Sequence, residues 1–168
     1  MEIRKATFED AAGIQQITRK AFQLYRDNIN TANAYFTALT ESIEDIVRDI
    51  ENKTVFIAIR EGVVVGSIRL ELMTPELAYI SRFAVNPDEH NQGVGAGLLQ
   101  KAIDECRDKG IIKVVLHTNS KYYRLARYYY GKGFYVHSTT FDRGYIRALF
   151  IKDLVDNREV DLEPALRK

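Results

Sequence analysis

The chain is poor in covalent and ionic staples. Cys106 is the only cysteine among 168 residues, which excludes an intrachain disulfide and any cysteine-rich zinc cluster. Net charge is equally scarce. With 24 Lys and Arg against 23 Asp and Glu, the formal +1 provides no global field for nucleic acid or an acidic membrane. No stretch approaches the ~20 consecutive apolar residues of a bilayer span, and Met1-Glu2-Ile3-Arg4-Lys5 lacks the apolar segment of a secretory leader. Internal repeats, low-complexity runs and interdomain linkers are missing too. These absences leave a soluble, cytoplasmic reading and a ligand that is small or local. A chain of this size buries roughly 68–70% of its unfolded surface, enough for a full core.

What is present is a clear alternation of periods. Glu2 to Ala6 reads as a strand, and Asp10 opens a helix with Ile14, Ile17, Ala21, Phe22 and Leu24 at helical spacing. A second helix carries Ile43, Ile46, Val47 and Ile50. Val55 to Ile59, Val63 to Met73 and Leu77 to Val85 read as an antiparallel meander turning at Glu61-Gly62 and Thr74-Pro75-Glu76. Leu98, Leu99, Ala102, Ile103 and Cys106 then mark a helix ended by Gly110, followed by a buried strand from Ile112 to Thr118. Cys106 sits in that pattern as a core residue; its alternative is a nucleophile. From Lys121 to Tyr130 the spacing predicts a helix holding five tyrosines, with Tyr122, Leu125, Ala126 and Tyr129 on one face. Two strands close the sequence, Gly133 to Thr140 and Tyr145 to Ile151, joined by Asp142-Arg143-Gly144. The charged tail, 153–168, reads as a loose end or as an arm onto a partner subunit.

The run Gln92-Gly93-Val94-Gly95-Ala96-Gly97, between a strand and a helix, reads either as a phosphate cradle or as a plain glycine-rich turn. Glycines let backbone N–H groups approach an anion, and a helix N-terminus favours one. A dinucleotide fingerprint fails, because Asn86 to Gln92 separate strand from glycines and Leu98 stands where a third glycine belongs. A Walker loop fails too, because Leu98-Leu99 follow Gly97 in place of Lys and Ser or Thr.

Gln92, Gly95 and Gly97 match a pyrophosphate loop of Gln or Arg, two free positions, Gly, one free position, then Gly or Ala. Tyr129 stands three free positions before Gly133-Phe134. With the order strand, loop, helix, strand, tyrosine helix, Gly-Phe, the sequence resembles the GNAT acetyltransferase superfamily over roughly residues 1 to 152.

The resemblance implies an α/β fold with a mixed, mostly antiparallel sheet of six to seven strands flanked by about four helices, a domain over 1–152 and a tail over 153–168. It implies acetyl-CoA in the split between the strands ending at Val85 and Thr118. The backbone of Phe83 and Val85 would bond the pantetheine arm, and amides of Gln92, Gly93, Val94, Gly95, Ala96 and Gly97 the pyrophosphate. Tyr129 would stabilise the leaving thiolate, with Arg124 or Arg127 able to lower its pKa. The implied acceptor is a primary amine of a small molecule or peptide, with no metal. Tyr122 stands where many relatives carry Asn, so contact with the cofactor arm or helix start is altered or moves to Asn119 or Ser120. Ser81 stands where many carry Glu, which leaves the base open.

Glu71 is one candidate base. A hairpin symmetric about Pro75 puts Ser67, Arg69, Glu71, Tyr79 and Ser81 on one face, which either lines the acceptor cleft or is an exposed sheet face with an Arg–Glu pair. His117 is another, against the plainer reading of a half-buried, hydrogen-bonded histidine. His90 and His137 read as surface residues. Phe22 to Phe36, with Tyr25, Asn28, Asn30, Asn33 and Tyr35, forms either a lid over the acceptor or a packed connection. Lys121, Arg124, Arg127 and Lys132 either meet the cofactor's phosphates or form a solvated face. The rival function is a non-catalytic acyl-CoA-binding sensor or interaction module, and an exposed sheet edge with the charged tail makes a homodimer possible.

Overall fold

A computed structural model describes residues 1–29 and 34–168. Seven strands hydrogen-bond in the order β1-β2-β3-β4-β5-β7-β6: β1 (Glu2–Lys5), β2 (Thr54–Arg60), β3 (Val63–Leu72), β4 (Leu77–Val85), β5 (Lys113–Asn119), β6 (Tyr135–Phe141) and β7 (Ile146–Asp153). The β1–β2, β2–β3, β5–β7 and β6–β7 pairs are antiparallel, and β4 pairs with β5 in parallel from Leu77–Lys113 to Tyr79–Val115. The helices are α1 (Ala11–Ile29), α2 (Ile43–Asn52), α3 (Val94–Asp108), α4 (Tyr123–Gly131) and α5 (Glu163–Leu166). The seven-stranded, mostly antiparallel sheet matches the expected α/β fold, and the described helices are one more than the four expected, the short α5 of the tail being the addition.

Two compact units divide the described residues, one formed by Met1–Asn28, Phe36–Glu71 and Ile80–Glu105, the other containing Leu72–Tyr79 and Cys106–Lys168. In the first unit, the β2–β3 register puts Val55 opposite Arg69 and Ile57 opposite Ser67, so these four share a face. Val55 and Ile57 pack there against Ala11 and Ile14 of α1 and Ile46 of α2. Ser42 caps α2 reciprocally, accepting from Asp45 N–H at 3.1 Å while Asp45 accepts from Ser42 N–H at 3.0 Å. On the opposite face α3 lies close to β3, because a Cβ at Gly66 would come 2.8 Å from Leu98 Cδ1 and 2.9 Å from Val94 Cγ1. Cys106 is wholly buried on α3, in keeping with a core residue.

In the second unit Leu77, Tyr79, Val115, Leu149, Ile151 and Ala165 form one apolar cluster. Ala165 belongs to the charged tail, so the tail is not a loose end. Its sparse apolar residues Val160, Leu162 and Leu166 pack against the same cluster, while Asp156, Arg158, Glu159, Asp161, Glu163 and Arg167 are exposed. No helix among the described residues is long and apolar enough to cross a membrane.

Candidate active site

The glycine run is built as a helix entrance. Asn86 N–H donates to Val65 C=O at 2.8 Å, which pins the chain leaving β4, and a short 3-10 turn follows at Pro87–Glu89. Gly93 then takes φ +80, with no atom within 4 Å of the place a Cβ would occupy. The left-handed turn and the open space beside it both suit a close anion. Gly97 N–H donates to Gly93 C=O at 2.9 Å, the first turn of α3. By helix geometry the N–H groups of Val94, Gly95 and Ala96 have no intrahelical acceptor, and these donors a pyrophosphate could use.

Acidic Asp88 and Glu89 would repel such a guest, but each has a cation. Lys20 Nζ lies 2.5 Å from Asp88, and Arg60 bonds both Glu89 and the side-chain oxygen of Gln92. Gln92 is thereby oriented by Arg60 and by its own Nε2–H bond to Asp88 C=O at 3.4 Å. Gly97 has a different reason to be glycine. A Cβ there would stand 2.7 Å from Ile3 Cδ1, so this position sets the approach of α3 to β1.

Phe83 and Val85 follow a backbone irregularity in β4. Arg82 has φ +49, a left-handed conformation that costs a non-glycine residue on the order of 1–3 kcal/mol. Its guanidinium donates to Thr37 Oγ1 at 2.7 Å and to Glu41 Oε1 at 3.3 Å. Glu41 also accepts two bonds from Arg69, at 2.5 and 2.7 Å, and Arg69 reaches Asp49 at 2.6 Å. Arg69 is fully buried. Burial works against its charge, but the bonds to Glu41 and then Asp49 outweigh it and raise the pKa. Asp49 is itself half-buried, and its bonds to Lys53 and Arg69 outweigh burial to hold its carboxyl below the usual range.

This face therefore differs from the exposed Arg–Glu surface that was one reading of the sequence: helices cover it, and Arg69 turns to Glu41 and Asp49. Glu71 pairs with Lys53 at 3.6 Å and is partly exposed. Ser67 Oγ and Arg69 Nε are buried with no hydrogen-bond partner among the described residues. The hairpin turns about Pro75 as expected, with Met73 N–H donating to Leu77 C=O at 2.8 Å. Asn30 and Asn33 lie outside the described residues. Around them Phe22 packs edge-on to Tyr25, and Tyr25 to Phe36, at centroid separations of 6.1 and 5.5 Å.

In the second unit the Tyr-x-x-x-Gly-Phe spacing has a physical explanation. Gly133 adopts φ +84 just past α4. Its N–H donates to Tyr130 C=O and Phe134 N–H donates to Tyr129 C=O, both at 3.0 Å, the two bonds of a Schellman cap. That cap brings the ring of Phe134 onto Tyr129, 5.6 Å between centroids, and Phe150 and Tyr128 complete the cage at 5.6 and 5.3 Å. Tyr129 is buried, whereas Tyr130 is exposed. The phenol of neighbouring Tyr128 is pushed up to about 12 by burial, so it stays protonated.

Tyr122 is the residue leading into α4, and its carbonyl accepts from Leu125 and Ala126 N–H, each at 3.1 Å. Asn119 Oδ1 accepts from Lys121 N–H at 2.8 Å, so Asn119 supplies a side-chain bond at the helix start. Leu125 and Ala126 are half-buried on the face of Tyr129, while Lys121, Arg124, Arg127 and Lys132 are exposed.

His117 on β5 hydrogen-bonds Tyr79 Oη through Nδ1 at 2.8 Å. Burial, with Arg147 adding to it, pushes its pKa down to about 4. A neutral imidazole of that pKa is a weak base toward an ammonium near pKa 10, and the hydrogen-bonded reading is the one this geometry favours. Lys168 Nζ stands 6.0 Å over the Tyr79 ring, and Arg147 forks onto Asp142 at 2.7 and 3.0 Å. His90 and His137 are exposed, and no group of metal-ligating residues occurs among the described residues.

The sequence did not disclose Arg82, Glu41, Arg60 or the Tyr79–His117 pair. Positive φ in an arginine leaves no compositional mark, and pairs 28 to 41 residues apart have no local spacing to betray them.

Comparison with known proteins agrees with this geometry. Among solved structures, PaiA N-acetyltransferase from Thermoplasma acidophilum in complex with coenzyme A superposes with a TM-score of 0.79 at 20% identity, over 90% of this chain and 98% of that one. YncA from Salmonella typhimurium with acetyl-CoA gives 0.75 at 22%, over 96% and 98%. The ribosomal-protein-alanine N-acetyltransferase of Brucella melitensis gives 0.71 at 23%, over 92% and 100%. At such identities the likeness is one of fold. No curated protein sequence matches the chain. Residues 16–134 match the family described as Acetyltransferase (GNAT) family, and the chain belongs to that family.

Proposed function

We propose that this protein transfers an acetyl group from acetyl-CoA to a primary amine of a small molecule or peptide, by direct attack in a ternary complex. The observation that carries the proposal is the entrance to α3, where a left-handed Gly93, the unbonded first-turn amides and charge-matched Asp88 and Glu89 suit a pyrophosphate. Gln92 to Gly97 hold the pyrophosphate, the backbone of Phe83 and Val85 the pantetheine arm, and Tyr122 lies along the cofactor where relatives carry Asn. A backbone N–H of β4 polarises the thioester carbonyl.

The amine nitrogen attacks the carbonyl carbon, the C–S bond breaks, and CoA leaves as thiolate. Tyr129 meets that sulfur. With reference values of about 10 for a phenol and about 8.5 for a thiol, full proton transfer is uphill by roughly 2 kcal/mol. Tyr129 therefore donates a hydrogen bond that strengthens as charge builds on sulfur. Its cage of rings supports this role by fixing the orientation of the phenol. Glu71 is the proposed route for the amine's proton, a partly exposed carboxylate that passes it to solvent. Its carboxylate lies 3.6 Å from Lys53 Nζ, a cation that keeps it ionised and ready to accept a proton.

Calorimetric titration with acetyl-CoA, beside NAD and ATP, tests the first step. Selective micromolar binding is expected, followed by turnover with a member of a panel of small amines and peptides. Folded protein that ignores acetyl-CoA sinks the proposal. Selective binding without turnover across the panel identifies a sensor instead.

A further inference from the structure

We infer that Arg82 is a positioning residue for acetyl-CoA: its clasp to Thr37 and Glu41 holds the β4 backbone in the left-handed turn that presents Phe83 and Val85 to the cofactor. The inference rests on the acetyl-CoA reading above and adds the device that sets the geometry of the pantetheine strand.

Arg82 lies inside β4, at φ +49, where an extended residue would continue the strand. Arginine has no intrinsic reason to occupy that region, and strain of this kind persists only where surroundings over-determine it. The surroundings do so here at the other end of the side chain. Nη2 donates to Thr37 Oγ1 at 2.7 Å and Nε to Glu41 Oε1 at 3.3 Å. Thr37 and Glu41 are held by their own surroundings. Thr37 begins the short 3-10 turn Thr37–Leu39, and buried Glu41 is itself gripped by two bonds from the fully buried Arg69. Arg69 is braced in turn by Asp49 of α2. A guanidinium has five donors in a fixed fork, so two anchored acceptors fix its orientation and limit the backbone positions from which the side chain can reach both.

The residues that gain from this turn are its successors. A left-handed residue in a strand interrupts pairing and re-aims the backbone groups that follow, here those of Phe83 and Val85. Arg82 need not touch the cofactor to act. Its charge is already matched by Glu41, and its effect passes through the backbone.

Glycine separates this role from a general contribution to stability. Glycine enters the left-handed region without penalty and has no side chain to clasp, whereas alanine has neither the clasp nor the freedom. Acetyl-CoA dissociation constants and thermal midpoints would be measured for the full chain and for Arg82→Ala, Arg82→Gly and Thr37→Val. Amide hydrogen exchange across residues 83–85 would be followed in the same set. Arg82→Ala is expected to weaken acetyl-CoA at least tenfold and to speed exchange in that segment. Arg82→Gly should bind within threefold of the unaltered protein despite losing the same bonds, and Thr37→Val should fall between them. The thermal midpoint of Arg82→Ala should lie below that of Arg82→Gly, because only alanine carries the left-handed penalty, and exchange across residues 83–85 reports the local change apart from global stability. Unchanged affinity in Arg82→Ala overturns the inference, and so does an Arg82→Gly variant as weak as Arg82→Ala. If the unaltered protein itself ignores acetyl-CoA, the functional reading has failed and the inference falls with it, an outcome distinct from the other two.

Discussion

The two units hold their chemistry-bearing groups by opposite means. In the first, β4 and the glycine loop are fixed by ions: Arg82 by Glu41, Glu41 by Arg69, Arg69 by Asp49, and Gln92 by Arg60. In the second, Tyr129 is fixed by rings, with Phe134, Phe150 and Tyr128 around it and a helix cap setting the first of these. Backbone is the proposed functional element in the first case, and backbone in an unfavourable conformation needs directional bonds to hold it. A single hydroxyl is the proposed functional element in the second, and ring packing is what orients the ring that bears it.

The largest test of that contrast removes the central cation. Arg69→Met leaves buried Glu41 and half-buried Asp49 with Arg82 and Lys53 as their ion-pair partners among the described residues, and should destabilise folding by about 3–5 kcal/mol in urea titrations. A loss under about 1 kcal/mol would mean that packing, as in the second unit, holds this one too.

Acid should resolve the units by pH. His117 in the second unit has a folded pKa near 4 against about 6.5 when unfolded, so the unfolded chain binds the proton first as pH falls. The stability linked to His117 is complete above pH 6.5 and is lost between there and about pH 4, up to roughly 3 kcal/mol. Asp49 in the first unit, whose pKa is depressed below 3.8, keeps its contribution above that value and loses it only below. Unfolding free energies from pH 7 to 4 should fall in the parent and flatten in His117→Asn. Equal slopes in both would break the assignment.

Next in size is Tyr129→Phe, which keeps every ring contact and deletes one oxygen. Turnover should fall about 10²-fold, with KM for acetyl-CoA within about threefold and the thermal midpoint almost unmoved. Unchanged turnover would remove Tyr129 from the chemistry, and a large drop in midpoint would show its hydroxyl holding the cage together.

Much of this was legible in the sequence because it is local. Hydrophobic period gave β4 its limits at Leu77 and Val85 and placed α2 and α3, whose apolar residues recur every turn. The Tyr129 to Phe134 spacing was legible because a Schellman cap is a local device, with bonds spanning three and five residues. The polar face of β3 was read correctly as one face but not as covered. The covering partners, Glu41 and Asp49, lie 28 and 20 residues from Arg69, and no periodicity links a loop carboxylate to a strand arginine. Arg82 was illegible for a second reason, since its backbone conformation is imposed by its partners and contradicts its own preference. The packing of the tail is illegible because charge dominates its composition, while four small or branched apolar residues, Val160, Leu162, Ala165 and Leu166, rule out a loose end.

The smallest test takes the glycine run apart. Read as one motif, all its glycines serve an anion, but the structure gives Gly93 and Gly97 different tasks. Gly93→Ala meets no neighbour, yet forces a Cβ into a left-handed residue, which should cost about 1–2 kcal/mol of stability. If the turn also shapes the cradle, acetyl-CoA affinity falls several-fold as well. Gly97→Ala sits inside α3, where alanine is favoured over glycine by up to about 1 kcal/mol, and its Cβ crowds only the end of the Ile3 side chain on edge strand β1, with Met1 Cε at an ordinary contact distance of 3.5 Å. Those two effects should nearly cancel, leaving stability within about 0.5 kcal/mol, and combining Gly97→Ala with Ile3→Val should remove the clash and leave a net gain. An acetyl-CoA affinity that drops equally for both single variants would return Gly97 to the cradle and restore the run as a single anion-binding unit. A drop confined to Gly93→Ala would divide it between ligand and core.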